Sequence, residues 1–213
     1  MRAWVLAAFL LAGCASGQVQ ARQEGLFSTS PEAGAPEAGV PREDRGGDAD
    51  FRAAASKAFA SDPATARSAL EAFLADHPNH HRHAAALALL ARVQIATGDA
   101  AGAKATLERA DAGERTPDFD FLLGIAASRL GNAVLAVALL RPFLASGPPS
   151  IGGLTDADAP LLLHAAAAEA LAGTGVPVAA IEQWDRYRSF DGSREHERAF
   201  ARRGAEELAE KIP

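Results

Sequence analysis

Residues Ala84–Ala110, AAALALLARVQIATGDAAGAKATLERA, decide the fold. Two apolar-periodic runs flank Gly98-Asp99, and neither run contains a proline. That spacing predicts a helix, a tight turn and a second helix. A helical hairpin with one apolar face cannot bury that face alone. It has to stack on units like itself, and similar stretches lie on both sides of it.

The composition agrees. Of 213 residues, 48% are hydrophobic, 23% charged and only 6% aromatic. Alanine is abundant, which favours helix and lets helices approach closely. Runs of β-branched and aromatic residues with strand periodicity are absent, so the expected class is all-α. The net charge of −6 comes with no basic stripe, which argues against nucleic acid as a partner.

Aligned on the residue between paired helices, Ser61, Gly98, Gly131 and Gly175 fall in one column. Five residues later stand Ala66, Ala103, Ala136 and Ala180. Nine residues later stand Leu70, Leu107, Leu140 and Trp184. Pro78 and Pro148 close the first and third units, and Leu123-Gly124 precedes the third turn. These residues resemble the tetratricopeptide repeat. That family places small residues where its two helices cross, a glycine at the turn, a bulky residue beside the crossing and a closing proline. The turn spacings are 37, 33 and 44 residues against a family period of about 34. The long spacing contains Gly147-Pro148-Pro149-Ser150-Ile151-Gly152-Gly153, read as a loop insertion. The resemblance covers roughly residues 50–188 and implies a right-handed solenoid of about four helical hairpins. A C-terminal capping helix completes it.

The expected helices are Asp50–Ala60, Asp62–Asp76, His81–Thr97, Ala100–Ala112, Thr116–Leu130, Asn132–Ala145, Thr155–Ala172 and Pro177–Tyr187. Pro63 and Pro117 sit at first helical positions, and Pro142 is expected to kink the sixth helix. A ninth helix, Ser193–Lys211, carries one apolar stripe, Phe200, Gly204, Leu208 and Ile212. Arg194, Arg198 and Arg202 line another of its faces, as suits a solvated cap.

Residues 1–14 read MRAWVLAAFLLAGC. A positive start, a short apolar run and Leu11-Ala12-Gly13-Cys14 resemble the lipobox signal of bacterial lipoproteins. The resemblance implies removal of residues 1–13, lipidation of Cys14 and membrane anchoring through several acyl chains. Ala15 and Ser16 lack the aspartate of inner-membrane retention, so the expected address is the outer membrane, facing the periplasm. Residues 14–49, rich in Ala, Gly and Pro, are expected to be a disordered tether with Leu26-Phe27 as isolated apolar residues. The repeat domain is expected to span residues 50–213.

Few residues invite chemistry. His77, His80, His81 and His83 crowd one inter-helix turn. They are a weak alternative metal site, since Pro78-Asn79 breaks helical spacing and no cysteine joins them. His164 sits on an Ala/Leu face and reads as a tolerated helix residue rather than a base. Asp118 and Asp120 suit the positive end of a helix dipole better than acid–base work. No nucleophile elbow, zincin motif or phosphate loop occurs, so the domain reads as non-enzymatic and no cofactor is implied.

The resemblance places Arg92, Ile95, Phe121, Ile125, Arg129, Leu162 and Glu169 on the concave side, as a groove for a protein or peptide partner. The Lys and Asn of the chaperone-binding repeats, which clamp a C-terminal carboxylate, are missing. The expected role is a scaffold of the cell envelope. By general resemblance it would serve outer-membrane assembly, peptidoglycan synthesis and division, or pilus machinery. Ala66–Pro78 looks like a unit shared by the first two.

Overall fold

A computed structural model describes residues 42–59, 62–190 and 195–212. The lipobox, Cys14 and most of the expected tether lie outside the described residues. Among the described residues are nine helices: α1 (Arg42–Ala55), α2 (Pro63–Asp76), α3 (His83–Ala96), α4 (Ala100–Leu107), α5 (Pro117–Arg129), α6 (Ala133–Ser146), α7 (Ala159–Gly173), α8 (Pro177–Ser189) and α9 (Glu195–Ala209).

The turn glycines build one repeated device. Gly98, Gly131 and Gly175 have φ of 83°, 76° and 77°, a left-handed conformation that side chains disfavour. The residue after each glycine donates its N–H back five positions: Asp99 to Gln94 O (2.8 Å), Asn132 to Ala127 O (2.9 Å) and Val176 to Leu171 O (3.0 Å). This is the Schellman closure, which satisfies carbonyls that a helix end leaves open. Asp99 and Asn132 then cap the next helix, accepting from Gly102 N–H (2.8 Å) and Leu135 N–H (3.4 Å). Val176 cannot do this, and α8 starts without a side-chain cap.

The aligned columns are the inter-helix seams. Ala66, Ala103, Ala136 and Ala180 are all fully buried, and Leu70, Leu107, Leu140 and Trp184 are buried beside them. Each such large side chain contributes about 1.5–3 kcal/mol by leaving water. Gly124 belongs to the same logic, because a Cβ there would stand 2.8 Å from the Leu140 side chain.

Sequential helices pack on one another throughout. In addition, α1, α3, α5 and α7 touch in succession, whereas no even helix packs substantially on the next even helix. The odd helices therefore form the inner, crowded layer of an all-α helical-repeat solenoid, and the even helices form the outer layer. The terminal helix α9 packs on α8.

Several boundaries differ from expectation. Helix α1 starts at Arg42, eight residues early, and ends at Ala55. Its Gly46-Gly47 and dense charge look like linker, but Gly47 is buried against His80, where any Cβ would clash at 2.6 Å. Helix α4 stops at Leu107, after which the chain tightens to i−3 bonds from Arg109 and Ala110. Helix α6 runs on through Pro142 to Ser146. Helix α7 starts at Ala159, because Asp156 is engaged elsewhere.

In α9 the buried face is Ala201 and Ala205, flanked by the partly buried Gly204 and Leu208 of the expected stripe, whose end members Phe200 and Ile212 are exposed. The small Ala201 and Ala205 bring α9 close to Trp184 and Tyr187 of α8. Phe200 is left 50% exposed, its ring edge-on to Trp184 at 5.5 Å, and Ile212 is 38% exposed.

Candidate interaction groove

The inner face of α3 is the stripe Ala85, Leu89, Arg92 and Ala96, spaced to lie along one side of a helix. It is not open. Residues 147–158, the insertion between α6 and α7, fold back across it. The segment (here the strap) turns sharply at Gly152-Gly153, with φ of 57° and 83°. Ile151 and Leu154 exchange backbone hydrogen bonds of 2.8 and 2.9 Å across that turn. The tip is pressed on α3 so closely that a Cβ on Gly152 would lie 2.8 Å from Ala85 O and from Leu89 Cγ. Ile151 is fully buried.

Two acids fix the strap. Asp118, in the first turn of α5, accepts from Gly152 N–H at 2.8 Å and from the Thr116 hydroxyl. Asp156, within the strap, accepts from Arg92 Nε at 2.5 Å. The Arg92 and Asp156 side chains are only 8% and 3% exposed. Asp156 also accepts from Asp158 N–H at 2.9 Å, and Arg92 Nη2 stands 3.7 Å from Asp158 Oδ2. A cleft remains on either side of the strap. One of about 300 Å³ lies between Phe59, Pro63, Arg92 and Asp158. The other, of about 440 Å³, lies between Arg82, Ala85, Pro117 and Gly153.

Beyond the strap a polar seam crosses the odd helices. Arg129 of α5 donates to Ile95 O of α3. Ser128 Oγ donates to Ala166 O of α7 at 2.9 Å and lies 3.4 Å from Glu169 Oε2. Burial holds the Arg129 guanidinium below the usual arginine range, against the attraction of Glu169, and neighbouring Arg92 pushes it further down. Burial likewise raises the Glu169 carboxyl above the usual range, opposed by Ser128 and Arg129.

The seven expected groove residues thus divide. Arg129, Leu162 and Glu169 keep some exposure at the inner layer. Arg92 lies on the inner stripe but is sealed by the strap. Ile95, Phe121 and Ile125 are fully buried, which corrects the expectation that they face a partner. Phe121 shows why: its ring meets Phe143 of α6 edge-on at 5.4 Å, so it points between the helix layers. Asp156 and the clamp role of Asp118 were not expected. The available signal was Arg92 itself, a charge inside the apolar helix ALALLARVQIA, which calls for a buried acid somewhere in the chain. Asp120 is exposed.

The histidine turn is a docking surface for α1. Phe51 of α1 meets Phe73 at 5.5 Å, and Phe73 in turn stacks near His77 (5.1 Å) and His80 (5.4 Å). His77 Nε2 lies 3.1 Å from Asp50, and His81 Nε2 lies 3.3 Å from Asp48. Asp48, His80 and His81 have ligand-type atoms within 4.8 Å of one another. However, His80 Nδ1 accepts from Arg82 N–H at 3.1 Å, so the ring proton stands on Nε2, the atom facing Asp48. In this arrangement His80 is a donor and does not offer a lone pair to a metal. His83 opens α3, outside that trio. His164 bonds Gln183 of α8 at 3.0 Å and is held below its ordinary range by burial.

Stacked helical hairpins with an inner layer of odd helices define the class of helical-repeat solenoids. Within it, residues 60–124 match the tetratricopeptide repeat family, which covers α2, α3, α4 and the first half of α5. Tetratricopeptide repeats suggest a protein-interaction scaffold, typically a non-catalytic one. No curated protein matches the chain.

Proposed function

We propose that the protein is a lipid-anchored scaffold that holds a protein-binding repeat domain on the periplasmic side of a bacterial outer membrane. The repeat match supports the scaffold, and Leu11-Ala12-Gly13-Cys14 after an apolar run supports the anchor. The proposed link to the bilayer is lipid on Cys14; no helix among the described residues is long and apolar enough to cross a membrane. The partner is a protein of an envelope machine for outer-membrane assembly, peptidoglycan synthesis and division, or pili.

The observation that carries the reading is the inner layer of odd helices, with Arg129, Leu162 and Glu169 left accessible beside the strap. The test is envelope fractionation of the full chain with a clickable palmitate analogue. The label should be incorporated into the wild type in the outer-membrane fraction, and Cys14→Ala should abolish both label and membrane association. An unlabelled, soluble wild type would refute the anchor.

A further inference from the structure

The strap occupies the surface on which an inner-layer ligand would lie. It inserts Ile151 and packs Leu154 against the core, donates the Gly152 N–H to Asp118, and brings the Asp156 carboxylate to Arg92, with Asp158 behind it at 3.7 Å from Arg92 Nη2. We propose that the strap is a built-in occupant that an extended segment of a partner protein replaces. The replacing segment carries an aliphatic residue followed, about five positions on, by an aspartate or glutamate, as Ile151 is followed by Asp156.

Three observations support this assignment. The Arg92 side chain is buried and its Nε holds Asp156 at 2.5 Å, so an occupant without an acid at that point would leave a buried charge unpaired. A buried ion pair yields little net stability because both ions return to water when it opens, which keeps the release cost low. Finally, Asp118 accepts from backbone, and the close Ala85–Leu89 approach admits only glycine at the Gly152 position, so the replacing segment carries a glycine directly after its aliphatic residue.

The inference rests on the scaffold reading, and the two fail separately. Partners crosslinked at a strap that never opens would sink only this proposal, whereas an opening strap without any partner would sink the scaffold reading and this proposal with it. Hydrogen exchange on the full-length protein is the first test. The Gly152 amide should exchange by local opening, at least a hundredfold faster than the amides of Leu89 and Leu90. Exchange of Gly152 in step with α3 would overturn the proposal.

The second test uses the labelled peptide GPPSIGGLTDAD, residues 147–158, added in trans and followed by anisotropy. It should bind Ile151→Ser/Asp156→Ala saturably, and bind wild type at least a hundredfold more weakly, since the tethered strap has an effective concentration near millimolar. Peptides with Ser for Ile or Asn for Asp should lose at least tenfold. Absent binding to a folded double variant, or indifference to the peptide changes, would overturn it. If the double variant does not fold, wild-type exchange decides.

Discussion

Arg92 and Asp156 stand 64 residues apart in sequence and form a buried ion pair, Nε to Oδ2 at 2.5 Å. The pair ties the insertion between α6 and α7 to the inner face of α3. Removing one member of a closed buried pair costs about 3–5 kcal/mol. A releasable strap sets a lower ceiling, because opening returns Arg92 to water. Asp156→Ala is therefore expected to cost about 1–3 kcal/mol in denaturant melts, with faster exchange of the strap amides. A larger loss with unchanged strap protection would contradict this.

Gly152→Ala should release the strap while leaving the solenoid folded. The residue sits at φ 57° and faces Ala85 O, so both backbone conformation and space oppose a methyl group. The left-handed conformation alone costs about 1–2 kcal/mol. Far-UV circular dichroism should be unchanged, and protease cleavage should appear within residues 147–158. Cleavage spread over all helices would refute a local role.

Leu140→Ala tests the outer seam. Leu140 is fully buried between α5 and α6 and fills the space beside Gly124. A loss of about 2–5 kcal/mol is expected from lost transfer energy plus cavity. Phe200→Ala, at a half-exposed side chain, should cost clearly less in the same melts.

Two partly desolvated groups give opposite pH signatures. The His164 pKa is lowered in the fold by burial, so its neutral form favours the native state. That stability is present above the ordinary imidazole value of 6.5 and is lost as pH falls through the folded value below it. Glu169 is raised by burial, so its contribution is present below the ordinary carboxylate value of 4.5 and is lost as pH rises through the folded value. His164→Gln should flatten the acid side of a stability–pH curve measured from pH 7.5 to 5. Glu169→Gln should match wild type at pH 4 and equal or exceed it at pH 7.5. Curves that keep the wild-type shape in both variants would refute the burial assignments.

Calorimetric titration with zinc addresses the histidine turn. The His80 tautomer set by Arg82 N–H predicts no micromolar binding. Stoichiometric binding lost in His80→Ala would show that the ring rearranges to ligate.

The repeat was legible in sequence because its signal is local. The columns Ala66/Ala103/Ala136/Ala180 and Leu70/Leu107/Leu140/Trp184 are buried as their spacing implies. The turn glycines adopt the positive φ that their position requires. The groove was less legible because it depends on contacts across long separations. Nothing near Asp156 in the chain announces Arg92. Ile95, Phe121 and Ile125 differ from the inner-stripe assignment because they are core residues, as Phe121 shows in meeting Phe143 between the helix layers. The α1 boundary was missed because Gly46-Gly47 has linker composition, although Gly47 is what lets the helix rest on His80.

The most direct measurement of the scaffold claim is photo-crosslinking in intact cells, with a crosslinking amino acid placed singly at Arg129, Glu169 or, as an outer-layer control, Glu71 on α2. The account predicts a discrete adduct with one envelope protein from Arg129 and Glu169 and none from Glu71. Adducts absent from both inner positions, or equal from Glu71, would contradict it.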